Sequence, residues 1–376
     1  MNTAPKNAAN TELNFPFNKK NEAVVKVCIG QGVSQHIASI IRDLNPDVCF
    51  IVCDTTVKKL YATKISNSLL KLYPTHTIVH QPDEANKNLH TLAKISDEFF
   101  TRGGTSKSVI IALGGGITGN IAGLFASIVF RGINLVHVPT TLLAQLDSAA
   151  DVKQSVNSNT LKNSLGSYKA PNAVIIDPKF LESLSDREIR AGIGEAVKHG
   201  IAQDMDFVEF LLNCDIHDTV VLEKIITHTI ELKIQHWQNT PGIWNDELKV
   251  ERLTHLGHTT GKVLEMMDID YLTHGEAISH GMVIEAYMSY QLGHTTIDTA
   301  ENIYKILTSL KLLYPLSKKY NLQTITDNLY AKDGAHPLFA LLQDLGNPDM
   351  VSVSVPKKDA EVSIKWYLEK LATDIS

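Results

Sequence analysis

Between about residues 22 and 180 the chain alternates short apolar runs with longer amphipathic stretches, and this alternation limits the fold more than any other feature. The runs AVVKVCIG, VCFIVCD, THTIVHQ and SVIIALGGG have the length and branched-apolar content of strands. Between them, GVSQHIASIIRDL carries Ile37, Ile40, Ile41 and Leu44 at helical spacing, and VKKLYATKISNSLLKLY and NLHTLAKISDEFFTRG read as helices too. Alternation of this kind predicts a parallel sheet flanked by helices. Uninterrupted apolar strands such as CFIV and VIIAL suit a sheet covered on both faces.

From about residue 185 the pattern turns helical. SDREIRAGIGEAVKHGIA opens with Ser185 as a cap and Glu188 three residues on, the pattern of a capping box. Helix-like segments follow to about residue 350, and EVSIKWYLEKLA closes the chain as a helix. The expectation is an α/β fold in two domains: a flexible N-terminal tail over 1–21, a parallel-sheet domain over 22–184 and an all-α domain over 185–376.

With 376 residues, 44% of them hydrophobic, the chain has material for two cores. Its net charge of −6 and lack of basic runs argue against a nucleic-acid partner. No apolar stretch approaches the roughly 20 residues that span a bilayer, so no membrane partner is expected. The polar, Asn-rich N-terminus has no apolar segment of a secretory signal. Cys28, Cys49, Cys53 and Cys214 are scattered, which points to a reduced, cytoplasmic protein with buried thiols.

The strand VIIAL runs into Gly114, Gly115 and Gly116, and Gly119 and Gly123 follow. A glycine turn at the carboxyl end of a parallel strand, opening a helix, offers bare N–H groups and a positive dipole end to a phosphate. The competing reading is a tight turn with no ligand. Asp54, at the end of CFIVCD, is placed to bind ribose or adenine groups of a dinucleotide. The usual G-x-G-x-x-G spacing is absent after the first strand, so a generic dehydrogenase is not implied.

The next stretch, FRGINLVHVPTTLLAQLDSAADVKQSVNSNTLKNSLG, packs Arg131, Lys153 and Lys162 with Thr140, Thr141, Asp147 and Asn163. Such a segment in an acidic protein fits an anionic small molecule. Further on, Glu195, His258 and His274 form a set of one carboxylate and two histidines, a typical catalytic zinc set with an open position. On spacing alone, His199, His255, His280 and Glu276 are equally able to serve.

The segments GGGITGNIAG, RGINLVHVPTTLLAQLDS, VKQSVN, KNSLG, REIRAGIGEAVKHG, LGHTTG and THGEAISHGM occur in the order found in sugar phosphate cyclases, the family that includes 3-dehydroquinate synthase and 2-deoxy-scyllo-inosose synthase. The resemblance runs from about residue 50 to 345. It implies an NAD-binding α/β domain followed by a helical metal-binding domain. It implies that Glu195, His258 and His274 hold a divalent metal, zinc or cobalt. It assigns Asp54, Glu84, Lys87, Gly115, Gly116, Thr118, Gly119, Asn120, Thr140, Thr141, Lys153, Lys162 and Ser183 to NAD. It assigns Lys153, Lys162, Asn163 and Lys198 to the substrate and Asp147 to its hydroxyls, with Lys233 and Lys332 as weaker matches. Arg131 resembles an arginine donated to a neighbouring subunit's phosphate pocket, which implies a homodimer.

The implied reaction is transient oxidation of a sugar phosphate by NAD, phosphate elimination, return of the hydride, ring opening and an internal aldol closure to a carbocycle. Asn120, Gln154 and the sequence Ser148–Asp151 without paired glycines lean away from 3-dehydroquinate synthase, and Gln154 in VKQSVN resembles the form found in deoxyinosose synthases. REIRAGIGEAVKHG looks more like dehydroquinate synthase. Lys262 and His255 fit neither pattern and stand near the expected metal. The expected activity is therefore that of a cyclase acting on a hexose or heptulose phosphate, closest to 2-deoxy-scyllo-inosose synthase. The alternatives are 3-dehydroquinate synthase and a family member that binds NAD or metal without turnover.

Overall fold

The computed structural model describes residues 11–17, 23–239, 255–268, 271–331 and 337–374. The chain divides into two compact units, Met1–Ser185 with His217–Ile230, and Asp186–Ile216 with Glu231–Ser376.

The first unit is built on strands β1 (Thr11–Phe17), β2 (Ala23–Ile29), β3 (Cys49–Asp54), β4 (Thr75–His80), β5 (Val109–Gly114), β6 (Asn134–Pro139), β7 (Lys153–Val156), β8 (Leu165–Tyr168) and β9 (Ala173–Ile176). Seven of them form one sheet in the order β1-β2-β9-β6-β5-β3-β4. Six are mutually parallel, and β1 runs antiparallel along β2. Every residue of β3 and β5 is buried. Their side chains alternate between two cores: Ile51, Cys53, Ile111 and Leu113 enter one, Phe50, Val52, Ile110 and Ala112 the other. That is why these runs read as uninterrupted apolar sequence.

Three expectations for this unit change. Part of the stretch expected to be a loose tail, Thr11–Phe17, is strand β1. GVSQHIASIIRDL is not one helix but a 3-10 turn Val33–His36, a single α-turn Ile37–Ile40 and a second 3-10 turn Arg42–Leu44. Asp177 explains its irregular start, because its carboxylate accepts the Gly32 N–H at 2.9 Å and the Ser34 hydroxyl at 2.5 Å. A single α-turn still buries both Ile37 and Ile41. Finally, the lysine-bearing loop holds a two-stranded ribbon, β7 with β8.

The second unit is mainly helical, as expected, with helices Asp186–Gln203, His258–Met267, His274–Gln291, Ile297–Ser309 and Lys357–Asp374 among others. It departs from all-α in one ribbon, β10 (Leu338–Leu342) with β11 (Met350–Ser354). This ribbon buries Phe339, Leu341 and Leu342. The unit is organised around the buried helix His274–Gln291, which two other helices approach closely enough to need glycine. A Cβ at Gly275 would overlap the Ala191 carbonyl, and one at Gly281 would overlap the Gly257 carbonyl. At Gly261 it would stand 2.9 Å from the Ala277 carbonyl. Among the described residues no helix is long and apolar enough to cross a membrane.

Candidate active site

The carboxyl ends of β3 and β5 are neighbours, two residues beyond the paired Val52 and Ala112. Asp54 ends β3 and Gly114 ends β5. One Asp54 oxygen, Oδ1, accepts the Thr56 and Val57 N–H groups at 2.7 and 2.8 Å, so the residue caps the turn that follows it. That cap leaves Oδ2 as the oxygen available to a ligand.

The glycines after β5 serve different purposes. At Gly114 a Cβ would stand 2.6 Å from Thr118 Oγ1, and at Gly123 it would overlap the Gln154 amide. These two glycines make room for the protein's own side chains. Gly115 caps the helix Gly116–Ile128, and a Cβ there would meet Thr141 at 3.1 Å. At Gly116 the nearest atom is Ser148 Oγ at 3.4 Å. This leaves a bare helix start of the kind that accepts a phosphate. Thr140 joins it through its N–H to the Gly114 carbonyl at 3.0 Å. Thr118 is buried, 2.9 Å from His80 Nε2. Gly119 lies over the buried His137, whose Nε2 has no hydrogen-bond partner.

A polar network ties the helix to the lysine-bearing ribbon. Asn120 donates to the Gly116 carbonyl at 2.9 Å and accepts the Ser155 N–H at 3.0 Å. The Ser155 hydroxyl donates to Asn163, which also accepts from the buried Lys87. Asn157 donates to Glu84 Oε1 at 2.8 Å. Glu84 and Lys87 therefore converge with Asn120 and Asn163, which lie far from them in sequence. Lys153 is exposed, Lys162 and Asp147 are half-buried, and the exposed Ser183 hydroxyl lies 2.7 Å from that of Tyr61. Arg131 is exposed beyond the far end of the helix that Gly116 opens, about 20 Å away at 1.5 Å rise per residue.

In the second unit Glu195, His258 and His274 come together, with one ligand atom of each within 4.8 Å of the others. The two Nε2 atoms lie 3.6 and 3.5 Å from the buried Glu195 Oε1, which has no hydrogen-bond partner. The far side of each ring is held: His258 Nδ1 donates to the Leu256 carbonyl at 3.1 Å, and His274 Nδ1 pairs with Glu265 at 3.1 Å. Both Nε2 atoms thus face the same carboxylate oxygen. These spacings are close to the roughly 3.3 Å edge of a tetrahedron with metal bonds of about 2.0–2.1 Å. The donor set fits a divalent ion, with Glu265 as the outer carboxylate that orients a ligand histidine.

The electrostatics agree. Burial lowers the pKa of His274, but the Glu195 and Glu265 carboxylates outweigh it and raise it to about 10. Two carboxylates thus act on this one ring. Burial and the Lys198 charge hold His258 well below its usual range, and Lys262 adds to the effect. The Lys198 ammonium, itself buried, is 2.5 Å from Glu195 Oε2 and keeps that carboxyl ionised.

The other candidates have different tasks. Glu276 forms the capping box of helix His274–Gln291 and binds Arg187 at 2.7 Å. His280 is buried between the Tyr367 hydroxyl and the Tyr314 carbonyl. His199 contacts Gln203 at 3.0 Å. His255 is half-buried with its ring 6.0 Å from that of His258. Lys262 is exposed. The buried Lys233 lies 5.0 Å from the Trp237 ring centre. Lys332 lies outside the described residues.

Sequence reasoning missed Glu265, Ser155 and the buried Glu285. Glu285 accepts the Gly257 and Thr260 N–H groups at 2.8 Å each. The G-x-x-x-G spacing of Gly257 and Gly261 was the visible signal of a close helix crossing.

Known proteins resemble this chain in sequence and fold. Residues 77–191 match the 3-dehydroquinate synthase N-terminal family and residues 192–333 the 3-dehydroquinate synthase C-terminal family. A 2-deoxy-scyllo-inosose synthase of Streptomyces ribosidificus is 37% identical over 72% of this chain and 69% of its own length. A 3-dehydroquinate synthase of Halalkalibacterium halodurans is 35% identical over 73% of this chain and 76% of its own. A crystal structure of 2-deoxy-scyllo-inosose synthase complexed with carbaglucose-6-phosphate, NAD+ and Co2+ superposes with a TM-score of 0.86 at 28% identity, covering 95% of this chain and 99% of that one.

Proposed function

The chain belongs to the sugar phosphate cyclase family typified by 3-dehydroquinate synthase, and from that premise we propose that it closes a hexose 6-phosphate to a carbocyclic ketone in the manner of 2-deoxy-scyllo-inosose synthase, as an NAD- and metal-dependent carbon–oxygen lyase. The observation that carries this reading is the convergence of Glu195, His258 and His274 beside the buried Lys198.

Bound NAD would accept and return a hydride, and a divalent ion at Glu195, His258 and His274 would act as a Lewis acid on a substrate oxygen. The chain's own groups do the rest. The bare start of helix Gly116–Ile128 and Asp54 hold the dinucleotide, with Glu84, Lys87, Thr118, Gly119, Asn120, Thr140, Thr141 and Ser183 around it. Lys153, Lys162 and Asn163 bind the substrate anion, and Asp147 orients its hydroxyls. Lys198 keeps Glu195 ionised and offers positive charge to the departing phosphate. Lys233, His255 and Lys262 are assigned to substrate selection.

We also infer a homodimer. Arg131 follows Phe130 on a turn where both have positive φ, 67° and 49°. Strain at an exposed arginine points to a task for it, and its distance from Gly116 puts it out of reach of its own chain's glycine turn. The buried thiols of Cys28, Cys49 and Cys53 support a reducing, cytoplasmic setting.

The test is NMR of the products after incubation with NAD+, Co2+ and either glucose 6-phosphate or the heptulosonate precursor of 3-dehydroquinate. A carbocyclic ketone from glucose 6-phosphate supports the proposal. Turnover of the heptulosonate alone would support the dehydroquinate synthase reading, which REIRAGIGEAVKHG favours. No product from either would leave a binding protein.

A further inference from the structure

We propose that Glu285 is a positioning residue for the metal centre, locking the turn that carries His258 onto the helix that carries His274. Glu285 is fully buried. Its Oε2 accepts the Gly257 N–H and its Oε1 the Thr260 N–H, each at 2.8 Å. The two donors bracket His258, the first residue of helix His258–Met267. A carboxylate at a helix start satisfies orphan N–H groups and meets the positive end of the helix dipole. Here it comes from another helix, so it also fixes one helix against the other.

The neighbouring contacts are consistent with this. Gly281, one turn before Glu285, lies against the Gly257 carbonyl with no room for a Cβ. Gly257 itself has φ of 74°, so the chain enters the helix through a sharp turn. His258 has its ring set by the carbonyl of Leu256 in that turn. A shift of the turn therefore moves the ring. Glu285 sits about 16 Å along its helix from His274, 11 residues at 1.5 Å each, so it acts on the site only through this turn.

The inference rests on the metal reading above, and the test separates the two. Purified protein stripped of metal is titrated with Co2+ and followed by its visible absorption. Glu285→Gln places an amide N–H2 against one backbone donor while keeping the volume. Co2+ affinity should fall about 10- to 100-fold, with an altered band shape, while NAD binding is unchanged. Glu285→Asp keeps a carboxyl group and should lose less, and it serves the same readout if the Gln variant does not fold. Wild-type Co2+ affinity and spectrum in both variants, whatever their melting temperatures, would overturn the proposal. Glu195→Gln with undiminished Co2+ binding would instead overturn the metal reading itself.

Discussion

Glu265 accepts from His274 Nδ1 at 3.1 Å, and this bond decides which nitrogen of the ring faces Glu195. With Nδ1 engaged, Nε2 is left to bind a metal, as in carboxylate–histidine–metal pairs generally. His274→Ala should abolish activity and weaken metal binding. Glu265→Gln should keep the ligand and weaken metal affinity about 10-fold or more. Metal content after dialysis measures both. Full metal content and turnover in His274→Ala would mean that the ligand assignment is wrong.

The glycine turn gives an internal comparison. A side chain at Gly116 meets only Ser148 Oγ at 3.4 Å, whereas one at Gly114 runs into Thr118 at 2.6 Å. Gly116→Val should fold and lose NAD affinity more than 10-fold, and Gly114→Val should lose stability. Isothermal titration with NAD+ and thermal melts separate the two effects. Unchanged NAD binding in Gly116→Val would make the turn purely structural.

Burial pushes the His137 pKa down to about 4 from 6.5. The unfolded chain takes up a proton near 6.5 and the native protein only near 4, so stability is present above 6.5 and is lost as pH falls toward 4. The loss from this group is at most about 3 kcal/mol. His137→Gln should give a shallower decline in denaturation free energy across that window, by up to about 1.4 kcal/mol per pH unit. Identical slopes for the two proteins would show that His137 does not titrate in this way.

Lys262 is exposed, four residues after His258 and close enough for its charge to act on it. An ordinary lysine stays charged near neutrality where a histidine would titrate. Lys262→His should change kcat/KM for a sugar phosphate and bring a new dependence on pH near 6–7. Identical kinetics on glucose 6-phosphate and on the heptulosonate would place Lys262 outside the site.

Much of this was legible in the sequence because the parallel strands are buried on both faces, which leaves unbroken apolar runs such as VIIAL. The irregular start of the segment at 33–44 was not, because it depends on Asp177, more than 140 residues away. The candidate ligands Glu195, His258 and His274 were legible only through ordered motifs. Their spacing did not exclude Glu276 or His280, which the fold commits to a helix cap and to a buried tyrosine. Glu285 was hidden for a similar reason. A glutamate within an apolar helix reads as a surface position until the partner turn at Gly257–Thr260 is known.

The central claim is that oxidation, phosphate loss and reduction occur in one catalytic cycle, and simultaneous measurement of inorganic phosphate and absorbance at the NADH band tests it most directly. With glucose 6-phosphate, NAD+ and Co2+, the account predicts many equivalents of phosphate per enzyme with no net NADH. NADH accumulating in step with substrate consumed, without release of phosphate, would contradict it and make the protein a plain dehydrogenase.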